Sequence, residues 1–113
     1  MPTSSPLRCV LALTIWVSGL QAAHSQRTGM ISGEGMASCG VYLADRKDGI
    51  RDALYADWVA GFMSSYNMFS SHPQVSPIPD QPTTLAYLDK YCRENPLSYV
   101  SAGVMNLIGD LGG

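Results

Sequence analysis

The chain has no Cys-x-x-Cys pair, only two histidines, and no apolar run approaching the ~20 residues that a bilayer-spanning helix needs. Each shortage closes a class of function. Without Cys-x-x-Cys, thioredoxin-type redox chemistry and zinc ribbons have no obvious ligands. Only 14% of the residues are charged, and no basic cluster stands out, which argues against nucleic acid as a partner. The interspersed charges form no patch for an anionic membrane surface either. No alternating strand pattern and no internal repeat is visible, which leaves an all-α class.

At the N-terminus, Arg8 supplies a positive charge, Val10 to Leu20 an apolar run, and small residues follow, the three-part layout of an export signal. Cleavage after Ser25 fits the small residues Ala23 and Ser25, with cuts after Ala22 or Ala23 as alternatives. The expected division is therefore a signal peptide over 1–25, a flexible lead-in over 26–37 and a helical domain over 38–113. The expected compartment is the periplasm, with no stable membrane insertion after cleavage. Loss of Arg8 takes the formal charge from −2 to −3.

Of the three cysteines, Cys9 leaves with the signal and Cys39 and Cys92 remain. An even pair in an oxidising compartment reads most economically as a disulfide. In the chain-entropy account, closing a loop of roughly 50 residues is worth about 4 kcal/mol, which matters for so small a core.

Gln26 to Ala37 is rich in Gly, Ser and Thr without sustained periodicity, hence the lead-in. Ser38 is placed to cap a short helix carrying Cys39, Tyr42 and Leu43, ended by the Asp48-Gly49 turn. From Ile50 to about Phe69, Leu54, Trp58, Phe62, Tyr66 and Phe69 recur every three or four residues, with Tyr55, Val59 and Met63 widening the stripe. Gly61 within it costs about 1 kcal/mol relative to Ala, which suggests that another helix lies close to the backbone there. Ser70 to Thr83 holds Pro73, Pro77, Pro79 and Pro82 and reads as a long loop. A third helix is expected after Thr83 or Thr84, ending near Asn95. Asn95-Pro96 reads as the cap and first residue of a fourth, whose stripe is Leu97, Val100, Val104, Leu107, Ile108 and Leu111. The whole is a small four-helix bundle closed by one disulfide.

No catalytic constellation emerges. His72 is the lone base of its kind in the mature chain, and a nucleophile–base–orienter set needs more than a loop histidine. Asp45, Asp48 and Asp52 around Gly49 depart from the calcium-loop spacing and, interleaved with Arg46, Lys47 and Arg51, read as a solvated face. Asp57, Asp89 and Glu94 offer no distinctive carboxylate pair. Met30, Met36, Met63, Met68 and Met105 lack the Met-x-x-Met spacing expected for copper and read as packing. Trp58, Phe62, Tyr66 and Phe69 are read as core in preference to a binding groove. The expectation is a non-enzymatic protein with no metal and no cofactor.

Cys39-x-x-Tyr42, Trp58-x-x-Gly61-Phe62 followed by Asn67, and Tyr91-Cys92-Arg93-Glu94-Asn95-Pro96-Leu97 together resemble a broad group of small exported proteobacterial proteins. In layout the group is related to the HdeA/HdeB acid-stress chaperones and to the Tai-type immunity proteins of type VI secretion. The likeness spans about Ser38 to Leu111, with Trp58, Gly61, Phe62, Asn95 and Pro96 as structural anchors. It implies a helical periplasmic domain with one disulfide whose partner is a protein, either a toxic effector or an unfolded client; homodimerisation is left open. Under the immunity reading, the Pro-rich loop carrying His72, Pro73, Val75, Pro77, Ile78, Pro79 and Asp80 is the natural recognition surface, because a restricted loop loses less entropy on binding. Under the chaperone reading, acid swings the balance from −3 to about +7 and self-repulsion loosens the fold.

Overall fold

A computed structural model describes residues 30–113; the expected signal peptide, Cys9 and the first part of the lead-in lie outside the described residues. Four α-helices follow a short 3-10 helix at Gly33–Met36: α1 (Cys39–Asp45), α2 (Asp52–Phe69), α3 (Gln81–Glu94) and α4 (Val100–Asp110). No named strand occurs among the described residues. The expected all-α bundle is thus the observed architecture.

Local chemistry accounts for each boundary. The Ser38 hydroxyl accepts from Val41 N at 3.2 Å and caps α1. α1 stops at a turn in which Gly49 takes φ +71 and Asp48 Oδ1 accepts from Ile50 N. α3 starts earlier than expected, at Gln81. Asp80 caps it by accepting from Thr83 N at 2.9 Å, and Pro82 sits in the first turn, where a missing N–H costs nothing. α4 starts later than expected, at Val100 rather than Pro96. Asn95 instead closes α3, its side-chain Nδ2 donating to Tyr91 O at 2.9 Å, and Ser98 N donates back to Asn95 O. Pro96 therefore belongs to a tight turn that leaves Leu97 96% exposed.

That turn is also bound to the start of α1. Cys39 N donates to Ser98 O at 2.9 Å, Val100 N to Ala37 O at 3.0 Å, and Ser38 and Tyr99 form an antiparallel bridge. The Cys39–Cys92 disulfide, across 53 residues, ties the first residue of α1 to the last turn of α3, and both cysteines are fully buried.

Tyr42, Tyr55, Val59 and Met63 from α1 and α2 meet Leu85 and Leu88 of α3 and Val100, Val104, Leu107 and Ile108 of α4 in one core. The stripe on α2 is therefore centred elsewhere than expected. Tyr55, Val59 and Met63 face inward, Trp58, Phe62 and Tyr66 are half-buried at the edge, and Leu54 and Phe69 are exposed. A helix of this length has apolar residues on more than one face, and only its neighbours select which face is covered.

Three further expectations change. The described part of the lead-in is docked: the Trp58 ring lies against buried Gly35 so closely that a Cβ there would overlap it, and Trp58 Nε1 donates to Ser32 O at 2.8 Å. Among the described residues Gly61 has no non-local atom within 4 Å of an added Cβ, so no described helix lies against it. The close approach is at Gly103, where a Cβ would meet Leu88 Cδ2 at 2.9 Å and Tyr91 Cδ1 at 2.8 Å. Gly103→Ala is expected to destabilise the fold by about 1–3 kcal/mol through overpacking. Gly61→Ala is expected to raise stability by about 0.5–1 kcal/mol. Urea unfolding of the two variants gives shifts of opposite sign if these placements are right.

Candidate functional site

The loop between α2 and α3 is held by one side chain. Asn67, in the last turn of α2, offers its amide to the main chain of Val75 as a neighbouring strand would: Val75 N donates to Asn67 Oδ1 at 2.8 Å, and Asn67 Nδ2 donates to Val75 O at 2.9 Å. Gln74 Nε2 donates to Asn67 O at 3.2 Å, and His72 N to Ser70 Oγ at 3.0 Å. Val75 itself is 1% exposed and enters the core, with Ile78 packed beside it. Gly113 completes the seat, since a Cβ on it would meet Val75 Cγ2 and Tyr66 Cε1 at 3.0 and 3.1 Å.

The seven expected recognition residues therefore divide. His72, Pro73 and Pro77 face solvent; Val75 is core, Ile78 and Pro79 are half-buried, and Asp80 is the α3 cap. The Thr83 side chain and backbone N–H hold the Asp80 carboxyl below its usual range. An inward Val75 and a capping Asp80 make the outward residues a surface of set shape, bordered by exposed Met68 and Phe69 at the end of α2. The His72 ring lies 6.5 Å from that of Tyr66, nearly parallel to it, and makes no side-chain hydrogen bond among the described residues. Among the described residues no three His, Cys, Asp or Glu side chains group as a metal site.

The acidic residues near Gly49 are not a freely solvated face. Arg46 donates to both oxygens of Asp89, at 2.9 and 3.2 Å, and also to Asp52. The Tyr42 hydroxyl lies 2.9 Å from Asp89 Oδ1 and 3.0 Å from Leu85 O, and so can donate to either. Next to this, Arg51 pairs with Glu34 at 2.6 Å and with Asp45 at 3.5 Å, and Tyr55 donates to Asp45 at 2.6 Å. Two arginines and two tyrosines thus tie the 3-10 helix, α1, α2 and α3 together. Asp52 Oδ1 is the one buried side-chain polar atom without a partner among the described residues. Asp48 holds its own turn, Asp57 lies on the open side of α2, and among the described residues Glu94 pairs with Lys90 alone, at 3.9 Å. Met63 is core, while Met30, Met36, Met68 and Met105 are exposed.

The roles of Asn67, Tyr42 and Arg46 go beyond what residue spacing conveys. Tyr42 and Arg46, four apart on α1, mark a polar edge, but their partner Asp89 lies 43 residues beyond Arg46.

A groove of about 360 Å³ runs beside α2, walled by Met30 and Ile31 on one side and by Trp58 and Phe62 on the other, whose rings stack at 5.2 Å. Asp57 and Gly61 also line it. No described helix is long and apolar enough to cross a membrane. Compared with family models, curated proteins and solved structures, the chain matches none.

Burial, reinforced by the Asp89 carboxylate, pushes the Tyr42 phenol far above its ordinary value of 10.0; burial and Asp45 do the same for Tyr55. A folded-state pKa above the unfolded one means that stabilisation is complete below about pH 10 and is lost as pH rises beyond it, because the unfolded chain releases its protons first. Urea midpoints are expected to fall above about pH 10, and Tyr42→Phe to flatten that decline. Asn67→Ala is expected to cost about 1–3 kcal/mol and to speed exchange at the Val75 amide. Helix protection in the same hydrogen-exchange experiment should be unchanged.

Proposed function

We propose that the protein is an exported, non-enzymatic interaction module of the periplasm that binds and neutralises a protein partner, after the manner of the Tai-type immunity proteins it resembles. The supporting observation is the loop from Ser70 to Asp80. Asn67 and Val75 hold it in one shape, and it presents His72, Pro73 and Pro77 outward. A preformed surface binds without the ordering cost of a free loop, and the Pro rings with nearby Phe69 give it an apolar character suited to a protein partner. Occlusion of an effector needs such a surface and no reaction centre of its own.

An acid-stress chaperone of HdeA/HdeB type is the second reading, favoured by a separate observation. Glu34, Asp45, Asp52 and Asp89 all pair with Arg46 or Arg51 across four elements. Protonation removes the negative partner of each pair, and the Cys39–Cys92 link keeps the loosened chain together.

Co-expression with periplasmically directed toxins encoded beside the gene tests the first reading. Rescue of growth is expected, and a combined His72→Ala, Pro73→Ala, Pro77→Ala variant should weaken binding at least about tenfold, or about 1.4 kcal/mol, without moving the melting temperature. Failure to rescue, together with suppression of client aggregation at about pH 2–3 and none at neutral pH, would move the assignment to the chaperone.

A further inference from the structure

We infer that residues 30–36 act as a built-in ligand, filling a docking groove on α2 whose external occupant is a protein segment that carries a glutamate between two glycines. This surface is separate from the proposed recognition loop, and the inference does not rest on that loop.

What the groove accepts is visible because the chain itself occupies it. Three features of the occupant are read. Trp58 Nε1 donates to the main-chain carbonyl of Ser32 at 2.8 Å. Arg51 donates to both carboxylate oxygens of Glu34, each at 2.6 Å. Glycine is required on either side of that glutamate. Gly33 has φ +76, and a Cβ on it would lie 3.2 Å from Trp58 Cδ1, whereas a Cβ on buried Gly35 would overlap the six-membered part of the indole. Arg51 and Trp58 are seven residues apart, two helical turns and about 10 Å along one side of α2, so a single short segment meets both. Upstream, Met30 and Ile31 run beside Trp58 and Phe62 and add an apolar portion. The pattern recognised is therefore apolar-apolar-x-Gly-Glu-Gly.

The hold on this segment is of the kind that binds a ligand, not the kind that builds a core. No residue from 30 to 36 belongs to the core, and Met30 and Met36 are 98% and 52% exposed. A segment retained by packing alone would turn those methionines inward; here a carbonyl, a carboxylate and two missing side chains are read instead.

The same features make the occupant replaceable. Its 3-10 helix has four residues and no side-chain cap bond from Ser32, and the glycines at 33 and 35 regain the most backbone freedom on release. Downstream, Ala37 O accepts from Val100 N at 3.0 Å, and Arg51 keeps a second partner in Asp45 at 3.5 Å. The segment can thus swing about Ala37 while the bundle, the disulfide and the guanidinium stay in place. Tethered so closely, it competes at an effective concentration in the ~mM range. Weak ligands are shut out, and a partner that makes the same contacts and adds surface of its own displaces it.

Isothermal titration calorimetry of the purified protein with an end-blocked peptide of the sequence of residues 30–36 tests the groove. Gly35→Val dislodges the internal segment by overlap with Trp58, and Glu34→Lys does so by placing like charge beside Arg51. Both variants are expected to keep a cooperative melt and to bind the peptide with a Kd of roughly 10–100 µM, at least about tenfold tighter than the unsubstituted protein. Peptides carrying Glu34→Gln or Gly35→Val should bind at least about tenfold more weakly, and so should the native peptide when Arg51→Ala is added to the Gly35→Val protein. Folded variants that ignore the peptide, binding indifferent to both peptide substitutions, or equal binding by the unsubstituted protein would each overturn the inference. Loss of the cooperative melt in both variants would make the segment part of the fold, and dimerisation of the unsubstituted protein at these concentrations would give the groove to a second copy; either result also overturns an external occupant.

Discussion

The Cys39–Cys92 crosslink is the constraint around which the bundle is arranged. It joins the first residue of α1 to the last turn of α3, and the backbone N–H of Cys39 continues the connection into the turn before α4. Three helix ends therefore meet at one buried point. On the opposite end of α1, Arg46 grips Asp89 of α3 and Asp52 of α2. α1 has only seven residues, too few to be stable alone, and it is held in place at both ends by covalent and ionic contacts.

With α1 and α3 tied, α2 packs by the inner half of its surface, and everything else about that helix follows from the choice. Tyr42 and Tyr55 meet edge to face at 4.9 Å and fill the space between α1 and α2. That contact rotates Val59 and Met63 inward and leaves Trp58 and Phe62 at the rim. The rim indole then finds its own cover in Gly35, which brings the 3-10 helix onto the bundle. At the far end of α2, Asn67 performs the corresponding service for the Pro-rich loop. Both flanking segments are thus held by α2 side chains just outside the core.

The helices, their order and the cysteine pair were legible in the sequence because periodicity, caps and breakers are local signals. Ser38 as a cap and Pro73 as a terminator of continued helix needed no tertiary knowledge. The orientation of α2 was not legible: with apolar residues on both sides of the helix, nothing local distinguishes Tyr55 and Met63 from Leu54 and Phe69. Gly61 and Gly103 illustrate the same limit, since a glycine under an aromatic ring and one facing solvent look alike in a sequence. Asp80 was misplaced for a different reason. Its side chain serves α3, but the four prolines made the loop seem to run past it, although Pro82 is compatible with a first helical turn. The docking of residues 30–37 depends on a single distant indole, so Gly- and Ser-rich composition alone suggested a free segment.

The clasp of Trp58 on Gly35 gives the molecule a built-in optical reporter. The sequence holds two tryptophans, and Trp58 is the one among the described residues. Its indole touches the 3-10 segment and only the margin of the core. In a Trp16→Phe variant, indole fluorescence follows the seating of that segment, while the phenols of Tyr42 and Tyr55 report on the interior. Lifting of the strap and melting of the bundle are therefore spectroscopically separable events in one unlabelled protein.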